Sequence, residues 1–247
     1  MQSAPPATPP TAIVPAPEPN TMIRDDIDVP VFVVQSETDI NNNTLYSRQP
    51  DATNFRLWEI AGGSHFDNYA LFLGPDDTGG PQSAIANLAA MQNPPTETGG
   101  AGTCNLGVNT GGTHWVMNAA LSAMNQWVVN GTPPTSTLIQ TTSPPGSPVV
   151  FVRDPNTGIV LGGVRSPHVD APIATLSGLG NSPVPNCTLF GTTTPFTPEQ
   201  LAALYRNHGQ FVSKWSHAAQ SSVNARWLLP VDAEDLTAAA AQSQIGK

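Results

Sequence analysis

Positive charge is scarce in this sequence. Two lysines, Lys214 and Lys247, and seven arginines stand against 18 acidic residues, leaving a net charge of −9. There is no basic run and no patch of alternating aromatic and basic residues, so the electrostatic footprint of a nucleic-acid-binding protein is missing. Anionic membrane surfaces are a poor match for the same reason. The longest apolar runs, such as Val29–Val34, fall far short of the roughly 20 residues that cross a bilayer. Neither nucleic acid nor membrane is therefore expected as a partner. No signal peptide is legible either: Gln-Ser-Ala-Pro-Pro follows Met1, without a basic stretch or an apolar one. No dinucleotide fingerprint or phosphate-binding glycine loop occurs, and no cofactor is expected.

Cysteine is nearly absent. Cys104 and Cys187 lack metal-binding spacing and lie in loop-like sequence rich in glycine, proline and asparagine. They either form one disulfide closing a long loop, which suits an exported protein, or stay as two thiols. Charged residues make up only 11% of the chain, too few for a disordered polyelectrolyte. The 247 residues suffice for one large domain or two small ones, and 26 prolines with 21 glycines imply long loops around modest regular structure.

Residues 1–22 are rich in proline, alanine and threonine and read as a linker. Order is expected from residue 23. The run Val29–Gln35 is continuous and β-branched, as in a strand buried on both faces of a parallel sheet, and ends in a polar loop at Ser36–Asp39. A second strand, Phe55–Ile60, ends in Ala61-Gly62-Gly63-Ser64-His65. Helices are expected over Ser83–Met91 and His114–Val129, the latter closed by Asn130-Gly131. A hairpin pattern follows, Val149–Arg153 and Ile159–Val164 around Asp154–Gly158. Thr197-Pro198-Glu199-Gln200 carries a threonine cap, proline at the first helical position and a capping-box glutamine. That helix is expected to break near Gly209 and resume to Ala219, and a last helix, capped by Asp232, to span Asp232–Gln242.

The chemistry-bearing feature is the pairing of two strand ends. Serine hydrolases need a hydroxyl to attack, an imidazole to move its proton, and a carboxylate to fix the imidazole's tautomer. Asp39 lies just beyond the first strand and His65 on a glycine-bearing turn beyond the second, with Glu37 as the alternative acid. Taken singly, Asp39 also suits a loop cap and His65 a hydrogen-bonded turn. Their paired contexts, in that order, favour the catalytic reading.

At these residues the sequence resembles the α/β-hydrolase-domain family of bacterial esterase-like proteins. The resemblance rests on VPVFVVQSETDI, RQPDATNFRLWEIAGGSHFDNY, HWVMNAALSAMNQWVVNGTPP, GGVRSPHVDAPIA, LFGTTTPFTPEQLAALY and the closing helix with LLPVDAEDL, and spans roughly Asp25 to Ala241. It implies an α/β fold, in which residues 23–247 form the C-terminal portion of an α/β-hydrolase-type domain: the last parallel strands with flanking helices, plus loop-rich and hairpin insertions. It also implies a serine upstream of the acid strand, yet no Gly-x-Ser-x-Gly occurs here. Ser83, after Gly79-Gly80-Pro81-Gln82, has the wrong chain order and no preceding strand, and Ser64 shares the histidine's own turn. The nucleophile is therefore expected outside this sequence. Two parallel strands alone would also leave Val31, Val33, Leu57 and Ile60 without partners, so the missing N-terminal half of the same domain is an expected partner. A small-molecule ester is the other. The competing reading is a non-catalytic exported binding or scaffold domain.

Other residues attract less. His168 and Asp170 lack a third ligand for a metal, and none is expected. Arg165 meets either a substrate carboxylate or Asp170, the internal pair being preferred. Trp115 and Trp127 recur at helical spacing as core residues do. His114, His208 and His217 carry no motif, and solvated or capping roles are expected.

Overall fold

The computed structural model describes residues 22–24, 26–42, 44–143, 148–181, 184 and 186–247. The linker expected over 1–22 lies, all but Met22, outside the described residues. The chain folds as a mixed α/β structure in which strand β1 (Val31–Ser36) pairs in parallel with β2 (Phe55–Ile60), from Val31 opposite Phe55 to Ser36 opposite Ile60. A parallel pair needs a crossover, and this one holds a five-residue helix α1 (Glu37–Asn41) and a 3-10 turn at Thr44–Ser47. The polar loop expected at Ser36–Asp39 is therefore the capped start of a helix. The Ser36 hydroxyl accepts from the Asp39 amide and the Asp39 carboxylate from the Ser36 amide.

Side chains alternate across the pair. Phe32, Val34, Trp58 and Ile60 face helix α3 (Thr113–Asn130), meeting Val116, Ala119 and Ala120, with Phe32 and Trp58 edge-to-face at 4.9 Å. Val31 to Val34 are only half-buried, not covered on both faces as the run suggested. Among the described residues no strand borders the far side of β1, and that edge stands open. On the other side β2 gains single parallel bridges, Trp58 with Thr137 and Ile60 with Val164.

Of the expected hairpin, Arg153 and Val160 bridge the two arms, and residues 139–141 join each arm from outside through the antiparallel bridges Thr141–Phe151 and Ile139–Gly162. A further antiparallel pair, β3 (Ala174–Ser177) and β4 (Thr192–Pro195), follows the short helix α4 (Pro167–Asp170). Helix α2 (Gln82–Gln92) and α3 lie where periodicity placed them, and Gly131, at φ +69°, closes α3. Helix α5 (Pro198–Leu204) opens with the Thr197–Gln200 capping box.

Three boundaries differ from expectation, the first being that the helix expected to end at Ala219 runs on to Asn224. The break after α5 falls at residues 205–207, because Asn207 caps α6 (His208–Asn224) through the Gln210 amide and leaves Gly209 inside its first turn. Helix α7 begins at Pro230, not Asp232. Proline's fixed φ suits the first helical position, and Asp232 lies in the turn that follows. The main core gathers Phe211, Trp215 and Leu236 with Trp115, Ile173 and Leu176. Cys104 and Cys187 are joined by a disulfide inside a smaller cluster with Val108 and Phe190. No helix among the described residues is long and apolar enough to cross a membrane.

Candidate active site

Both parallel strands deliver the candidate residues read from the sequence, Asp39 and His65, at the same, C-terminal end. Asp39 Oδ1 lies 2.6 Å from Nδ1 of His65. The other carboxylate oxygen accepts from the Ser36 amide at 2.7 Å and the Ser36 hydroxyl at 2.8 Å, so the helix cap fixes the carboxylate's plane. The His65 side chain is about half exposed, with 53% of its surface accessible against 26% for Asp39. With Nδ1 committed to Asp39, the neutral ring carries its proton there and leaves Nε2 as the acceptor. Among the described residues no group is hydrogen-bonded to Nε2.

The histidine turn is held from behind. Gly62 sits at φ +68°, and a Cβ there would stand 2.6 Å from Val169 Cγ1. Its amide donates to Glu37 Oε1 at 2.8 Å, and its carbonyl accepts from Asn109 Nδ2 at 2.9 Å. The His65 amide donates to Thr38 Oγ1 at 3.2 Å, whose hydroxyl donates to the Gly178 carbonyl at 2.6 Å. The Phe66 amide donates to the Leu189 carbonyl, tying the turn to the strap beside Cys187.

The other residues singled out from the sequence fall elsewhere. Glu37, the alternative acid, does not reach His65: it is fully buried and binds Arg153, Gly62, Ser177 and Gly178. Its direction follows from helix geometry, since residues two apart on a helix do not share a face. Ser64 is buried and donates to the Phe66 carbonyl, and the Ser83 hydroxyl lies beside Asp77 in the first turn of α2. Neither is hydrogen-bonded to His65.

Arg165 pairs with Asp170 at 2.5 Å. His168 is fully buried, hydrogen-bonded to Ser166 and stacked against Trp115, and burial alone pushes its imidazole down to about 3. His114 stacks on Tyr69 with centroids 3.7 Å apart, its imidazole lowered by burial. His208 faces the carbonyls of Ala241 and Ile245 at the end of α7, while His217 is exposed on α6. Trp115 and Trp127 are both buried. Among the described residues no three His, Cys, Asp or Glu side chains converge as a metal site would require.

Three residues around the site carried no mark in the sequence reading. Thr38 and Asn109 act through partners far along the chain, which spacing does not reveal. Asp67, two residues past His65, is buried with Oδ1 accepting from the Ala70 amide, and burial pushes its carboxyl up to about 6. Glu59 had a legible signal, a carboxylate inside an apolar strand. It is fully buried and held by Arg48 at 2.5 and 2.6 Å, by Gln35 and by the Ile139 amide.

A family model described as an alpha/beta hydrolase domain matches residues 1–238. No curated protein and no solved structure matches.

Proposed function

The chain belongs to the alpha/beta hydrolase domain family, and from that membership we propose that it contributes the acid and the histidine of a serine-nucleophile carboxylic-ester hydrolase. The observation that carries the reading is the Asp39 Oδ1–His65 Nδ1 contact of 2.6 Å at the ends of two adjacent parallel strands. In this reading His65 Nε2 takes the proton of an attacking serine and then delivers it to the leaving alcohol, while Asp39 holds the ring's tautomer and stabilises its charged form. The serine and the donors that stabilise the oxyanion lie outside these 247 residues. Residues 23–247 are then the C-terminal part of the domain, and the remaining part is the partner they fold against.

Two observations support that division. The open edge of β1 is apolar and uncharged, a poor end for a sheet left facing water. On the outer face of α3, Met117, Leu121 and Val128 are exposed at the four- and seven-residue spacing of a packing stripe. The absence of a hydroxyl on Nε2 is equally what the second reading, a non-catalytic domain of hydrolase fold, would need. One experiment separates the two. A fluorophosphonate probe and a p-nitrophenyl ester are offered to this chain and to the product of the reading frame extended upstream. Labelling and turnover are expected only in the extended protein, with Asp39→Asn lowering kcat by about 10⁴-fold. Labelling of a serine within these 247 residues would refute the division. Silence from both folded proteins would favour the non-catalytic domain.

A further inference from the structure

Glu37 is a buried carboxylate that the proposed chemistry does not use. Four donors converge on it. The Gly62 amide reaches Oε1 at 2.8 Å, while the Gly178 amide, the Ser177 hydroxyl and Arg153 Nη2 reach Oε2 at 3.2, 3.2 and 3.0 Å. Its own amide donates to the Gly63 carbonyl at 3.2 Å. One residue thus grips the histidine turn by Gly62 on one side and Gly63 on the other. A Cβ at Gly178 would stand 2.5 Å from Glu37 Cβ and 2.6 Å from the Gly63 oxygen, so the end of β3 closes directly over the grip. Burial pushes the Glu37 carboxyl up, and Arg153 and the two backbone donors act against that rise. A carboxyl so completely desolvated depends on its hydrogen-bond partners, and three of the four lie on the histidine turn or the end of β3.

We propose that Glu37 is a positioning residue for His65: it fixes the turn of residues 62–65 so that the imidazole meets Asp39 with Nδ1 rather than Nε2. The partition of work follows the chain, with Glu37 holding the turn's backbone, Thr38 the His65 amide, and Asp39 the ring. Arg153 brings the hairpin into the arrangement, because without its charge the carboxylate is buried beside neutral donors alone. The assignment as a positioning residue for proton transfer rests on the hydrolase reading. The control of ring orientation does not.

The effect is readable on this chain without turnover. Long-range nitrogen NMR of the histidine rings, at a pH where His65 is neutral, reports which ring nitrogen carries the proton. Wild type is expected to show the Nδ1–H tautomer. Glu37→Gln puts an amide NH₂ against either Gly62 or the group around Gly178. It is expected to move the His65 shifts toward the mixed tautomers of a free imidazole while circular dichroism stays native. Arg48→Met is the control: it strips the partner from Glu59, the other buried carboxylate, and is expected to lower Tm with the His65 shifts unmoved. A folded Glu37→Gln protein with wild-type His65 shifts overturns the proposal. If Glu37→Gln does not fold, Ser177→Ala and Arg153→Met each remove one donor. Smaller shifts in the same direction are then expected, and unchanged shifts in both overturn it. Should the extended protein lack esterase activity while Glu37→Gln still moves the shifts, only the hydrolase reading falls.

Discussion

Substituting Gly62 by alanine tests the turn that carries His65 with a magnitude that can be worked out from its surroundings. Gly62 has φ +68°, and a Cβ there would lie 2.6 Å from Val169 Cγ1 and 3.1 Å from Leu176 Cβ. A left-handed backbone costs an L-residue about 1–2 kcal/mol, while the stiffer unfolded chain returns about 0.4–1 kcal/mol. Forcing a methyl into packed side chains adds about 1–3 kcal/mol. Gly62→Ala should therefore cost about 1–4 kcal/mol, which for a chain of this size is a fall in Tm of roughly 2–16 °C. Gly79 is the internal control, with φ +85° and nothing within 4 Å of a built Cβ. Gly79→Ala should carry the backbone term alone, about 1 kcal/mol or less. Adding Val169→Ala to Gly62→Ala removes the methyl that the new Cβ meets, and urea denaturation of the double variant should reveal a favourable coupling of about 0.5–3 kcal/mol. Equal losses at Gly62 and Gly79, or strict additivity with Val169→Ala, would refute the steric argument.

Two buried titrating groups oppose each other in acid. Asp67, pushed up to about 6 from 3.8, keeps its proton in the fold where the unfolded chain has released it, so its stabilisation is complete below pH 3.8 and is lost as pH rises through 6. His168, lowered to about 3 from 6.5, cannot take up a proton in the fold, so its contribution is complete above pH 6.5 and is lost as pH falls toward 3. At about 1.4 kcal/mol per unit the two nearly cancel between pH 4 and 6. Asp67→Asn should stabilise the protein at pH 7 by up to roughly 3 kcal/mol and expose a steeper loss in acid; parallel pH profiles for variant and wild type in urea denaturation would count against this. Arg48→Met, which leaves Glu59 buried without its cation, should cost about 3–5 kcal/mol in thermal unfolding, with most of the loss recovered by adding Glu59→Gln. A loss below 1 kcal/mol would mean that Gln35 and the Ile139 amide hold the carboxylate unaided.

The parts of this fold legible in the sequence are those governed by local rules. Two β-branched and aromatic runs announced β1 and β2, the helical recurrence of Val116, Ala120, Met124 (or Ala123) and Trp127 announced α3, and Thr197 with Gln200 announced α5. The meeting of Asp39 and His65 was legible because both follow strand ends, and strands side by side bring their ends together. What escaped depends on distant partners. β3 and β4 are four residues each, ATLS and TTTP, too short and too polar for a period-two pattern to stand out. Nothing near Glu37 in sequence says that its partners sit at Arg153 and Gly178, 116 and 141 residues away. The break lies at residues 205–207 rather than near Gly209, because Asn207 is the stronger helix cap and a glycine is tolerated in the first turn that follows it.

One carboxylate in this protein serves two masters. Asp39 gives one oxygen to the start of α1 and the other to His65. A helix of five residues has little cooperativity of its own and frays readily once loosened from its surroundings. The aim of Asp39 therefore depends on the tertiary contacts of Glu37 and Thr38 that hold this single turn in place. Warming that loosens Glu37 and Thr38 from the end of β3 should let the carboxylate swing away from the imidazole, and the His65 ring-nitrogen shifts followed against temperature would report it.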